Sequence, residues 1–148
     1  MFWAGTDALM PPLSRWFIKA GFVSLLLSLL LELFQLRPSV LLPSLSAAAI
    51  HLAAIHLLTV GWLLQVILGV AFWMFPRHPT VPPRGDARWG WLALILLNTG
   101  LVFRLLGESG RLGFGWPAWP LVVAAVLQVG GVAAGLVLLW PRIRTSGS

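Results

Sequence analysis

Residues 47–77 read AAAIHLAAIHLLTVGWLLQVILGVAFWMFPR, and this run decides the fold. From Ala47 to Phe75 it holds no Asp, Glu, Lys or Arg, and it stops at Pro76-Arg77. A bilayer's hydrocarbon is ~30 Å thick and a helix rises ~1.5 Å per residue, so ~20 mainly apolar residues make a span. This stretch exceeds that length. Outward from it, three more segments qualify, and the expected spans are residues 17–36, 45–75, 89–106 and 119–140. Each ends at a proline or at a glycine and charge cluster, where a helix does not continue cheaply.

The whole composition agrees. Of 148 residues, 59% are hydrophobic and 9% charged, with a mean hydropathy of +0.92. Soluble domains run near ~45–50% apolar with about a quarter of residues charged. The expected fold class is therefore all-α, a single integral membrane bundle of four transmembrane helices, with no room for a second, soluble domain. The first apolar run, about twenty residues, is longer than the ~7–15 of a secretory signal and leads into Arg37-Pro38, so it reads as a span.

A net charge of +6 and a pI near 11.9 invite a nucleic-acid reading. The distribution excludes it, because the basic residues sit singly or in pairs at the ends of apolar runs. With the N-terminus inside, Arg15, Lys19, Arg77, Arg84, Arg88, Arg142 and Arg144 are cytoplasmic, and Arg37, Arg104 and Arg111 lie outside. That asymmetry predicts both termini in the cytoplasm. Trp16, Trp73, Trp89, Trp91 and Trp140 then form an inner aromatic belt and Trp116 and Trp119 an outer one, while Trp62 falls inside the second span.

The chain has no cysteine, which excludes disulfides, thiolate metal ligands, iron–sulfur clusters and c-type haem attachment. Polar groups in hydrocarbon are costly, so each asks for a reason. Glu32 and Gln35 read as interfacial. Asn98 and Gln128 read as amides bonded to a neighbouring helix, and Gly130, Gly131 and Gly135 as a close-packing face. Arg104 either snorkels outward or meets Glu108 or a cofactor carboxylate. His56 falls near the outer edge of the hydrocarbon and His51 ~7.5 Å further out. His78, between Arg77 and Pro79, reads as a loop residue.

From His56 the sequence continues to Gly61-Trp62, then Gly69, then Phe72-Trp73-Met74-Phe75-Pro76. This pattern resembles the haem-ligand helix of the catalytic subunit of haem–copper oxygen reductases, and more distantly the twelve-helix NnrS-type haem proteins of nitric oxide metabolism. The resemblance covers helix two alone. It implies haem b held by His56 as axial ligand, with Gly61 and Trp62 beside the porphyrin and Arg104 near its carboxylates. The family's helix usually reads His-x-His, with one histidine for the low-spin haem and one for the oxygen-reducing haem. Here the second corresponds to His56 and the first to Ala54. The family's redox-active tyrosine has no counterpart, since the chain has no tyrosine.

His51 and His56 are rotated ~140° from each other on a helix, so they cannot clasp one iron from opposite sides. A six-coordinate haem at His56 then needs a second axial ligand from another chain, or an external one. The family's helices form three arcs of four, which implies a homo-oligomer, a trimer of this chain, in a prokaryotic cytoplasmic (inner) membrane. His51 of a neighbour completes the coordination, or three His51 side chains converge on copper or another metal ion. The function implied is electron transfer or binding of a diatomic gas, O2 or NO, with a redox partner. If it is an enzyme, it is a haem-dependent oxidoreductase. The alternative is a haem-free accessory subunit of a respiratory complex.

Overall fold

The computed structural model describes residues 10–36, 47–75 and 84–143. Within them are four helices: α1 Pro12–Gln35, α2 Ala47–Met74, α3 Ala87–Phe114 and α4 Trp119–Ile143. All four are long and apolar enough to cross a membrane, and the described residues contain no strand. The protein is an all-helical, multi-pass membrane protein. Arg37, Arg77, His78 and Arg144 lie outside the described residues.

The helix ends differ from the sequence expectation in instructive ways. α1 starts at Pro12 instead of Phe17, because a proline in the first turn forgoes only an amide that has no partner there. α3 starts after Asp86, whose side chain accepts from the Arg88 amide at 2.9 Å. It runs well past Leu106, straight through Gly107 and Gly110, because both glycines sit against neighbouring side chains, Leu121 and Trp116. It stops at Gly115, whose φ of 67° suits the left-handed position after a helix, and the Trp116 amide returns to the Gly110 carbonyl at 3.0 Å. α4 passes through Pro141, which falls in its last turn and so removes one hydrogen bond near the end.

Neighbouring helices run antiparallel. Phe17 of α1 packs at Gly69 of α2, and Ser28 of α1 donates to the Ala54 carbonyl at 2.9 Å. Between α3 and α4, Leu97 packs at Gly131 and Gly107 at Leu121. Both described chain ends therefore lie at one end of the bundle, the terminal end, and the end of α1, the start of α2 and the 114-to-119 connection lie at the other, the far end. Trp16, Trp73, Trp89, Trp91 and Trp140 are exposed towards the terminal end, and Trp116 and Trp119 towards the far end, as two belts require.

Small residues let α1 lie close on α2. A Cβ added at Gly61 would fall 2.6 Å from the Ser24 Cβ, and one at Gly69 would fall 2.8 Å from the Phe17 Cβ. Without a hydrophobic force between helices in lipid, such close van der Waals approach is a main source of association. The apolar core gathers in the terminal half, where Leu13, Phe17, Leu68, Phe72, Leu97 and Leu138 pack together.

α2 is not one regular helix. It is α-helical over Ala47–His56, π-helical over Leu57–Leu64 and α-helical again over Gln65–Met74. Around the changeover, side chains supply donors to backbone carbonyls: His56 Nδ1 lies 2.7 Å from the Leu52 oxygen, and Thr59 Oγ1, in the first π turn, donates to the Ile55 oxygen at 2.8 Å. In hydrocarbon no water replaces a lost backbone partner, so these donors support a widened turn. π segments are uncommon and concentrate at functional sites.

Candidate functional site

The wide turns decide what α2 shows to α3. His56 and Gln65 are nine positions apart, which on a regular α-helix puts them ~180° apart. Here both reach α3: His56 approaches Glu108, and Gln65 exchanges hydrogen bonds with Asn98 at 3.2 and 3.1 Å. A π turn holds more residues per revolution, so the eight-residue segment takes up the difference. Asn98 also donates to the Leu94 carbonyl at 2.7 Å, so this amide pair is well satisfied. It is the interhelical bond expected of Asn98, and its partner is Gln65. Gln128, given the same role, has a buried Nε2 without a hydrogen-bond partner among the described residues.

Towards the far end three ionisable side chains meet. Glu108 Oε1 accepts from Arg104 Nε at 2.8 Å, one helical turn away, and lies 3.2 Å from His56 Nδ1. The Glu108 side chain is only 5% exposed, against 20% for His56 and 25% for Arg104. Burial of that carboxylate is costly unless it is paired, and the arginine meets that cost. Its second oxygen, Oε2, is buried with no hydrogen-bond partner among the described residues. Arg104 thus meets Glu108, one of the partners its position allowed. Among the described residues its hydrogen bond runs through Nε, which leaves its Nη groups for another acceptor.

Two acceptors, the Leu52 carbonyl and Glu108, surround His56 Nδ1. That arrangement favours the tautomer with the proton on Nδ1, and Nε2 then carries the free lone pair. Metal-bound histidines have the same outer arrangement, with the non-ligating N–H held by a carbonyl or a carboxylate.

The other residues singled out in the sequence lie elsewhere. His51 faces α1, with Nδ1 3.4 Å from Glu32 Oε1, and both side chains are about half exposed. His51 and His56 thus turn to different helices, as their rotation requires. Gly61 packs against Ser24, so a second helix takes the space beside it. Trp62 is half-buried in the π segment. Gly131 and Gly135 are close-packed against Leu97 and Leu68, whereas Gly130 has only Leu96 at an ordinary 3.5 Å. Among the described residues no three His, Cys, Asp or Glu side chains converge to hold a metal ion.

Sequence reasoning gave Glu108 no role beyond a partner for Arg104, and it passed over Gln65. For Glu108 a signal existed: its spacing from Arg104 and a position in α3 level with His56 in an antiparallel pair. For Gln65 there was none, because a regular helix turns it away from that face. Comparison with known proteins finds no family model, no curated protein and no solved structure that matches this chain.

Proposed function

We propose that the protein binds haem b in the membrane, with His56 Nε2 as the axial ligand, and acts in electron transfer or in binding O2 or NO. One observation carries this reading: His56 Nδ1 is held by the Leu52 carbonyl and by Glu108, which leaves Nε2 as the free ligating atom. Glu108 fixes the orientation of the ring, and Arg104 in turn holds Glu108 in place. The Nη groups of Arg104 suit a haem carboxylate. The chemistry supplied by a bound haem b is a one-electron iron couple and, with an axial position open, binding of a diatomic gas.

The imidazole is a fifth exposed at the side of the bundle, so the group it holds lies at an interface between chains. A homotrimer arranged as a ring of four-helix arcs supplies that interface, in a prokaryotic cytoplasmic membrane. The half-exposed His51 of a neighbour provides the second axial ligand, or three of them hold copper or another metal ion. A second reading rests on the same 3.2 Å approach of His56 to Glu108. As a structural imidazole–carboxylate contact it joins α2 to α3, and the protein is then a haem-free accessory subunit of a respiratory complex.

The colour of detergent-purified protein from haem-sufficient cells separates the two. The haem reading expects a Soret band and b-type reduced-minus-oxidised peaks that disappear in His56→Ala. Carbon monoxide binding to the reduced form reports an open axial position. A colourless preparation overturns the haem reading and leaves the accessory role.

A further inference from the structure

α1 and α3 both lie on α2 and leave a groove between them. They meet at the terminal end, where Leu13 packs at Gly90, and again deeper, where Ser24 and Leu101 both crowd Gly61. Between and beyond those contacts an apolar cavity of about 310 Å³ is lined by Trp16, Val23, Leu57, Leu101, Val102 and, at its mouth, Lys19. A second cavity of about 250 Å³ continues from Leu27, Leu57 and Leu105 towards Phe34 and Ser109. The Lys19 cavity runs from Trp16 to Leu27, which is ~16 Å along α1. That is about half of the ~30 Å hydrocarbon thickness, the depth of one leaflet.

The charged group of this cavity, Lys19, sits at its mouth, and the neutral Ser24 and Asn98 lie inside. Asn98, at its floor, is already bonded to Gln65 and to the Leu94 carbonyl. Lys19 is exposed and leans back over the Trp16 ring, with Nζ 5.8 Å from its centroid, towards the terminal end. Arg15 stands one turn earlier on the same face and is also exposed. Among the described residues neither cation meets a carboxylate. An apolar slot one leaflet deep, with Lys19 and an indole at its mouth and exposed Arg15 one turn away, is complementary to an amphiphile with a negative head.

The geometry points to a binding site for one anionic phospholipid, whose acyl chain fills the groove between α1 and α3 while its phosphate meets Lys19 and Arg15. The site is independent of His56 and of any cofactor. Each cation near a membrane surface favours an anionic headgroup by a factor of ~5, so the pair favours it by ~25.

The test reconstitutes the full chain in vesicles of equal phosphatidylglycerol and phosphatidylcholine, extracts it in mild detergent and counts retained lipid by native mass spectrometry. The wild type is expected to retain one phosphatidylglycerol per chain. Retention falls about 5-fold in Lys19→Gln and about 25-fold in Arg15→Gln/Lys19→Gln. Val102→Phe, which narrows the groove from an exposed position, displaces the lipid with both cations intact. Equal retention of the two lipids, or retention unchanged in the double variant, overturns the proposal. So does a Val102→Phe protein that changes its oligomeric state and keeps its lipid, since the groove is then a contact between copies.

Discussion

The two ends of the bundle each rely on an arginine, and they use it differently. At the terminal end Arg142 of α4 is 2% exposed and donates to the carbonyl oxygens of Phe72, at 2.9 Å, and of Phe75, while its guanidinium lies 5.5 Å from the Phe72 ring. A helix leaves its last carbonyls without internal partners, and Arg142 closes the end of α2 by supplying donors from another helix. The surroundings there are the apolar core of Phe17, Leu68, Leu97 and Leu138. At the far end Arg104 meets a carboxylate, the carboxylate meets an imidazole, and one carboxylate oxygen is left over. The first arrangement is a clamp made of a permanent cation and neutral carbonyls. The second brings a carboxylate and an imidazole together, with both acceptors on the Nδ1 side of the ring. One end is a tie to backbone carbonyls and the other a cluster of ionisable side chains.

Substitutions can break that contrast. Arg142→Met is expected to have the largest effect, about 3 kcal/mol of lost stability by thermal or chemical unfolding in detergent, because buried carbonyls lose charge-assisted donors. A smaller loss than that of Glu108→Gln would dissolve the distinction between the ends. Glu108→Gln is expected to cost about 2 kcal/mol, since it leaves Arg104 without its counter-charge. Arg104→Gln/Glu108→Gln should recover about 1 kcal/mol relative to additivity, and an additive double variant would mean that the two are not coupled.

Midway between the ends, Gln65→Leu should cost about 1 kcal/mol by stranding Asn98, whereas Gln65→Leu/Asn98→Leu returns close to wild type. Failure of the double variant to recover would show that the amide pair is more than a tie between α2 and α3. The smallest effect belongs to His51→Ala, below about 0.5 kcal/mol, because its contact with Glu32 is half exposed. A larger loss in the isolated chain would place His51 in the structural frame and not at a contact between copies.

The residues show where sequence reading succeeds and where it stops. Arg104 was legible as a residue in need of a partner, because hydrocarbon tolerates few unpaired charges. Asn98 was legible as interhelical glue for the same reason. The clamp by Arg142 was hidden: in sequence it is one more basic residue at a helix end, counted for orientation. The extent of α3 was hidden too, because Gly107-Glu108-Ser109-Gly110 has the composition of a stop, and only Leu121 and Trp116 packed on its glycines keep it helical.

Composition and run length alone determined that four apolar helices cross a membrane with both ends on one side. Those properties are local, since each helix satisfies its own backbone and hydrocarbon thickness sets its length. Which side chains meet was decided by tertiary structure. The direction a residue faces is a sum of rotations along its helix, and the widened turns of Leu57–Leu64 change that sum by up to about half a revolution without altering the apolar pattern. His56 and Gln65 therefore face α3 together, and Glu108 waits there for the first of them.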